Sequence, residues 1–432
     1  MLDVLGDDLP QTIKDSITVT RKLGFRYLWV DRYCIKQHDS ADKVHQISQM
    51  GAIYAHAEVT LCAVMGSNPS YGLPGVGTSR RTPFTDATVG TIHLRHEWDG
   101  TEEVSRSLWA SRGWTLQEGY LSRKRLFFTD RQVIFVCNAE ILYEHTTSGN
   151  LGHLNGIIGP GFDASSAEEN SLLVLMETYS RRQLRYHEDA FNAIAGLLRS
   201  LTEPGVNRAH LWGVPVHTGS MMQDDDEVHL VWKSITPSMR RDSFPSWSPF
   251  GWTSPVKFED AGVLFVDGPC KVQVWTGRCW TTWSELSLSQ IDFLRTSPQS
   301  QSRFLRISAT AMFRFRLLWS DPKQSCSIWF DGFIATPEWD GMPLELGLTD
   351  TIICMPMKDW SNTDTGAIQG RASRLLLLKL SVLVPPSYTM GETPELPVYE
   401  RVGSIDHSKM MGLPRLSWIG ARLRGEESFF LA

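Results

Sequence analysis

The chain is 432 residues long, with room for two or three domains. Its hydrophobic share of 42% and charged share of 21% are those of an ordinary globular protein, and a net charge of −6 argues against general nucleic-acid binding. Seven Cys, an odd count without C-x-x-C spacing, fit reduced thiols in a cytoplasmic protein, and the acidic stretch from Met1 to Pro10 makes no signal peptide.

Taken in order, Leu9-Pro10 opens a helix with Pro at its first position, with Ile13, Ile17 and Thr20 on one face and Gly24 at the end. Phe25 to Val30 (FRYLWV) has the apolar texture of a parallel strand covered on both faces, and Asp31 follows at its carboxyl end. A second helix is expected from near Ser40, with Val44, Ile47, Gly51 and Tyr54 on one face, then a strand at Val59 to Val64. That order implies a parallel pair joined by a right-handed crossover. Gly66 to Pro83 reads as a loop and Thr91 to Leu94 as a short strand.

The stretch Ser111 to Phe128 organises the rest. Trp114 and Leu121 sit seven apart and so share a helical face, with Glu118 one turn beyond Trp114. Gly119 and Ser122 end this helix, and Arg125 to Phe128 forms a hairpin with Val133 to Cys137 around Asp130-Arg131. Thr146 to Phe162 is a glycine-rich boundary, followed by a helix at about Ala167 to Leu184 and another with Phe191, Ile194, Leu197 and Leu198 on one face. Beyond Leu211, short runs separated by Trp, Ser, Thr and Pro read as antiparallel β structure out to Val384. The run Leu375 to Pro385, broken by Lys379, reads as a buried strand rather than a membrane span. The expected division is 1–145, a helical segment 146–210 and a β-rich region 211–432.

Several of these pieces, in this order, resemble the fungal heterokaryon-incompatibility (HET) domain family. They are Leu9-Pro10-Gln11-Thr12-Ile13, Leu23 to Asp31 running on to Cys34-Ile35-Lys36-Gln37, Met50, Ile53-Tyr54, Ala57, Tyr71-Gly72-Leu73-Pro74-Gly75, and Ser111 to Phe128. Tyr179-Ser180-Arg181-Arg182, Asp189 to Ala193, and Pro245-Ser246-Trp247-Ser248 with Gly251-Trp252 look like the region that often follows such domains. The resemblance implies a flavodoxin-like α/β domain, remotely similar to Toll/interleukin-1 receptor (TIR) domains, acting in nonself recognition and programmed cell death. The family's opening A-L-S-Y-x-W-G strand and loop have no counterpart before Leu9, so a sheet short of its first strand is expected. Around Asp42, where the family often carries Trp and Glu, this chain has Lys43 and Gln46.

By analogy with TIR domains that cleave NAD, Trp114-Thr115-Leu116-Gln117-Glu118 looks like a catalytic motif, with Glu118 as the catalytic carboxylate and Asp31, Arg112 and Trp114 binding the nucleotide. NAD would then be substrate, and no cofactor is implied. A carboxylate beside the ribose would stabilise the oxocarbenium-like cation formed as the nicotinamide bond breaks. Each residue also has a plainer use: Glu118 in an ion pair with Arg112 or Arg123, Asp31 as a turn cap, the arginines paired with Glu118 or Glu140. Cys34 beside His38 or His45 is more readily a buried small hydrophobe than a nucleophile. The spacings of His38, His45 and His56 match no closed zinc site, so no metal is expected. Trp247 and Trp252 could offer a stacking face or pack a β core. The alternatives to catalysis are a protein-interaction or self-association module and a degenerate, truncated paralogue.

Overall fold

A computed structural model of the chain describes residues 9–84, 86–95, 100–144, 171–201, 208–217, 227–228, 230, 232–236, 239–258, 270–276, 279–282, 285–286, 290, 303–309, 313–319, 326–330, 333–335, 338–339, 352–357, 374–380, 396–406 and 427–432. It divides into two compact units, Met1–Leu197 and Leu198–Ala432.

The first unit is mixed α/β. Helix α1 (Gln11–Lys22) is followed by a short α2 (Asp31–Cys34), α3 (Ser40–His56), strand β1 (Thr60–Ala63) and a hairpin of β2 (Asp86–Val89) and β3 (Ile92–Arg95). Three short helices follow, α4 (Gly100–Ser105), α5 (Leu108–Ser111) and α6 (Thr115–Leu121), then β4 (Lys124–Phe128), β5 (Val133–Cys137) and β6 (Ile141–Tyr143). Helix α7 (Ser171–Ser180) completes the unit, and α8 (Asn192–Leu201) runs across its boundary. The main sheet has the order β1-β4-β5-β6. β1 runs parallel to β4, with Thr60 opposite Arg125 and Ala63 opposite Phe128, and the remaining pairs are antiparallel. Alternation along the strands puts Cys62, Phe127, Ile134 and Val136 out of solvent. Each large apolar side chain buried this way contributes about 1.5–3 kcal/mol.

The FRYLWV stretch departs from expectation. Phe25 to Val30 forms no strand, and Phe25, Arg26 and Tyr27 are exposed. A strand exists only through a neighbour's hydrogen bonds, and among the described residues the sheet ends at β1. The segment stays extended (Val30 has φ −138° and ψ 122°), and the parallel pair is β1 with β4 rather than FRYLWV with β1. In α3, Val44 is exposed; the inward face is Ile47, Met50, Gly51 and Tyr54. Pro10 stands just before α1 rather than at its first position.

The buried face of α1 is polar in part. Asp15, 2% exposed, accepts from the Leu73 amide (2.8 Å), Ser79 Oγ (2.8 Å) and Gln11 Nε2 (2.7 Å). One carboxylate thereby ties the Gly72–Gly75 loop to the helix, and the +85° φ of Gly72 lets the loop turn toward it. The expected boundary from Thr146 to Phe162 lies outside the described residues.

In the second unit, β7 (Arg208–Leu211), β8 (Val214–His217) and β9 (Glu227–Val228) form one small antiparallel sheet, and β10 (Trp232–Ser234) pairs with β11 (Val256–Phe258). The strands β12 (Cys270–Trp275), β13 (Trp280–Thr282), β14 (Leu305–Ala309), β15 (Phe313–Trp319), β16 (Cys326–Phe330), β17 (Phe333–Ala335), β18 (Glu338–Trp339), β19 (Ile352–Met357), β20 (Arg374–Leu380), β21 (Val398–Asp406) and β22 (Glu427–Leu431) follow. They form a sheet in the order β13-β12-β14-β22-β21-β20-β19-β15-β16-β17, with β18 paired to β21. The run from Arg374 to Leu380 is a strand of this sheet. Trp247 and Trp252 are core residues: both are buried, and their indoles donate to the Arg303 and Ser246 carbonyls at 3.1 and 2.8 Å. Arg401, 1% exposed, lies over the Trp232 ring at 3.4 Å and donates to the Leu230 carbonyl at 3.0 Å.

Candidate functional site

A cavity of about 880 Å³ opens within the first unit, walled by α1, the FRYLWV stretch, α3, β1 and the α5–α6 corner. Arg112, Trp114 and Glu118 from one short stretch, and Asp31 from far upstream, all line it.

The α5–α6 corner is built by short-range chemistry. Ser107 caps α5 by accepting from the Ala110 amide at 3.1 Å, and Arg112 leaves the helix in an extended conformation. Backbone bonds then lock the corner to Gln183: the Gln183 amide donates to the Ser111 carbonyl (2.6 Å) and the Gly113 amide to the Gln183 carbonyl (2.7 Å). A Cβ at Gly113 would lie 2.5 Å from Leu184 Cδ2, so a larger residue there would have to displace the Leu184 side chain. Thr115 Oγ1 bridges the Trp109 and Arg112 carbonyls, and Arg182 Nη1 reaches both the Arg112 carbonyl (3.2 Å) and Thr115 Oγ1 (3.1 Å). Burial lowers the Arg182 guanidinium to about 10, partly offset by Tyr179 and Glu118 nearby.

Glu118 projects from the first turn of α6. Trp109 Nε1 donates to its Oε1 at 2.8 Å, and the buried Cys62 thiol of β1 donates to the same carboxylate. Neither Arg112 nor Arg123 closes an ion pair on it, although the positive charge of Arg112 is felt. Loss of surrounding water raises the Glu118 pKa, and the Trp109 bond and Arg112 oppose that only in part. The same crowding pushes up the Tyr54 phenol, through burial and then through Glu118 and Asp31, and the Cys62 thiol, through burial and then Glu118. Tyr54 also faces Trp29 edge-on at 6.4 Å, giving the pocket an aromatic wall.

Asp31 stands at the start of α2, exposed, with Oδ1 accepting from the Arg32 amide at 2.6 Å. Trp114 donates through Nε1 to Asp189 Oδ2 at 3.3 Å, which brings a second carboxylate to the pocket wall. Trp109, Cys62, Tyr54, Arg182 and Asp189 were not among the expected site residues. Spacing alone does not assign them to the site, because which side chains meet Glu118 is set by how the chain folds; the motif settings of Ile53-Tyr54, Tyr179 to Arg182 and Asp189 to Ala193 are the signal for three of them. Contrary to the expected burial, Cys34 is exposed, on the short α2 at the surface, with its sulfur 3.4 Å from the Val30 amide. Among the described residues no group of three or more His, Cys, Asp or Glu side chains is placed to hold a metal ion.

The packing behind the pocket is tight. Gln117, 1% exposed, donates to the Asn192 carbonyl at 3.0 Å and accepts from the Gly196 amide at 2.8 Å. A Cβ on Gly51 or Gly196 would come within 2.8 Å of the other's Cα, so α3 and α8 meet backbone to backbone.

Residues 2–118 match the family model described as Heterokaryon incompatibility protein (HET). The match ends at Glu118, so Arg182 and Asp189 lie outside it. No curated protein and no solved structure matches the chain.

Proposed function

We propose that this chain, a heterokaryon-incompatibility domain protein, acts in fungal nonself recognition and programmed cell death by hydrolysing NAD or a related nucleotide in the Glu118 pocket. One observation carries the reading: Glu118 lies in an open cavity, held by an indole and a thiol, and is not consumed in an ion pair. Water adds to the ribose anomeric carbon as its bond to nicotinamide breaks, and nicotinamide leaves. The Glu118 carboxylate stabilises the positive charge that builds on the ribose ring. Arg112 supplies a guanidinium for phosphate oxygens, Asp31 accepts a hydroxyl, and Trp114 gives a flat wall for a ring. A flavodoxin-like, TIR-like ancestry for this cytoplasmic domain is part of the same proposal, supported by the parallel β1–β4 pair and the position of Glu118 on α6.

The test is NAD content in cells expressing the chain beside its Glu118→Gln variant. We expect NAD to fall with the first and hold with the second, while the variant protein stays folded. Cell death with NAD intact, unchanged by Glu118→Gln, would sink catalysis. It would support a second reading, a partner-binding or self-association module. That reading is favoured by the exposed Leu23, Phe25, Tyr27 and Tyr33, 46%, 38%, 82% and 38% accessible, along one stretch of chain.

A further inference from the structure

The pocket has a matched pair of features, one carboxylate of which, Asp189, lies beyond the family match. Trp109 donates its indole N–H to Glu118, and Trp114, five residues on, donates its own to Asp189. Each tryptophan therefore holds a carboxylate at the wall of one cavity.

We infer that Asp189 is the pocket's second ligand-binding carboxylate, accepting the vicinal hydroxyls of the ribose whose bond Glu118 helps to break. The inference rests on the nucleotide reading above. Three observations carry it. First, the turn bearing Asp189 (His187–Ala190) is fixed by other atoms: the Asp189 amide donates to the Tyr186 carbonyl at 3.3 Å, and Tyr179 Oη donates to the Ala190 carbonyl at 2.6 Å. The carboxylate is not needed to fold it. Second, Trp114 occupies Oδ2 alone, and among the described residues no hydrogen bond or ion pair claims Oδ1, although Lys43 is near enough to be felt. Third, Asp189 is half-buried and lines the cavity, which puts its carboxylate within reach of a ligand there. A carboxylate only accepts, so it selects a donor. Ribose hydroxyls donate, whereas phosphate oxygens are repelled and fall to Arg112 or Lys43, which also line the pocket.

Binding can be read without turnover on the full-length Glu118→Gln chain, by calorimetric titration with NAD. Adding Asp189→Asn, which keeps an acceptor for Trp114 but loses the charge, should weaken binding about tenfold to a hundredfold, the usual cost of a charged hydrogen bond. NAD analogues lacking one hydroxyl of the nicotinamide ribose should bind the Glu118→Gln chain about tenfold more weakly and lose little more on adding Asp189→Asn, because both changes remove one interaction. If Asp189→Asn does not fold, Asp189→Ser and the analogue series on the Glu118→Gln background still decide. NAD that binds well, with affinity unmoved by Asp189→Asn and by the missing hydroxyls, would overturn the inference and leave the nucleotide reading standing. A chain that binds no NAD would overturn both.

Discussion

At the scale of single residues, the site turns on how a carboxylate is kept ionisable in a drying pocket. Desolvation raises the Glu118 pKa, so the native carboxyl holds its proton more tightly than an unfolded glutamate does. That side chain favours folding in acid, and the advantage is lost as pH rises through the folded pKa. Glu118→Gln should therefore melt a few degrees above the parent at pH 8 and show no such gain at pH 4, read by circular dichroism. Added stability coupled with lost activity marks a residue kept for function. For the proposed NAD cleavage, the same shift should move the acid limb of the pH profile upward. Trp109→Phe keeps the ring that packs edge-on against Phe127 at 5.3 Å but removes the donor to Glu118. It should cut kcat about tenfold or more with little change in KM, and move the acid limb further up, since a bond that favoured the charged form is gone. A purely structural Trp109 would leave the limb where it was.

At the scale of elements, two contacts decide whether the pocket walls stand. Gly196 sits inside α8, where alanine is ordinarily the better helix former by about 1 kcal/mol. A Cβ there would lie 2.3 Å from Gln117 Oε1 and 2.8 Å from the Gly51 backbone, and a helix backbone cannot step aside. Overpacking wins, and Gly196→Ala should destabilise by about 1–3 kcal/mol in a denaturant titration. Asp15→Ala should cost about 3 kcal/mol, because it strands a buried Leu73 amide as well as losing two side-chain bonds. Faster proteolysis within 66–83 would report release of that loop, and an uncut loop would show that Asp15 does not hold it. The FRYLWV stretch gives the complementary lesson. Its apolar pattern was read as a covered strand, yet strand formation belongs to pairs of segments, and this one has no partner among the described residues.

At the scale of the whole molecule, the two units have cores of different kinds. The first packs a small sheet against helices, whereas the second surrounds buried Trp232 and Trp247 with a buried guanidinium. Arg401→Leu should destabilise the second unit by about 3 kcal/mol or more, because the Leu230 and Trp232 carbonyls lose a charged donor. Calorimetry with an intact Glu118 pocket, tested by NAD binding, would separate that loss from any effect on the site.

Much of this protein could be read from residue order alone. The helix after Trp114, the β4–β5 hairpin around Asp130-Arg131 and the amphipathic face of Phe191, Ile194 and Leu197 follow from local periodicity and turn chemistry, and the spaced motifs carry the resemblance that the family match over residues 2–118 supports. These depend on neighbours in the chain, which sequence displays directly. Tertiary structure alone decided the rest: that Phe25 to Val30 joins no sheet among the described residues, that Glu118 is met by Trp109 and Cys62 instead of an arginine, and that Asp189 arrives 75 residues downstream of Trp114 to share its wall. A carboxylate's partner is set by which side chains converge in space, and no spacing along the chain encodes that distance.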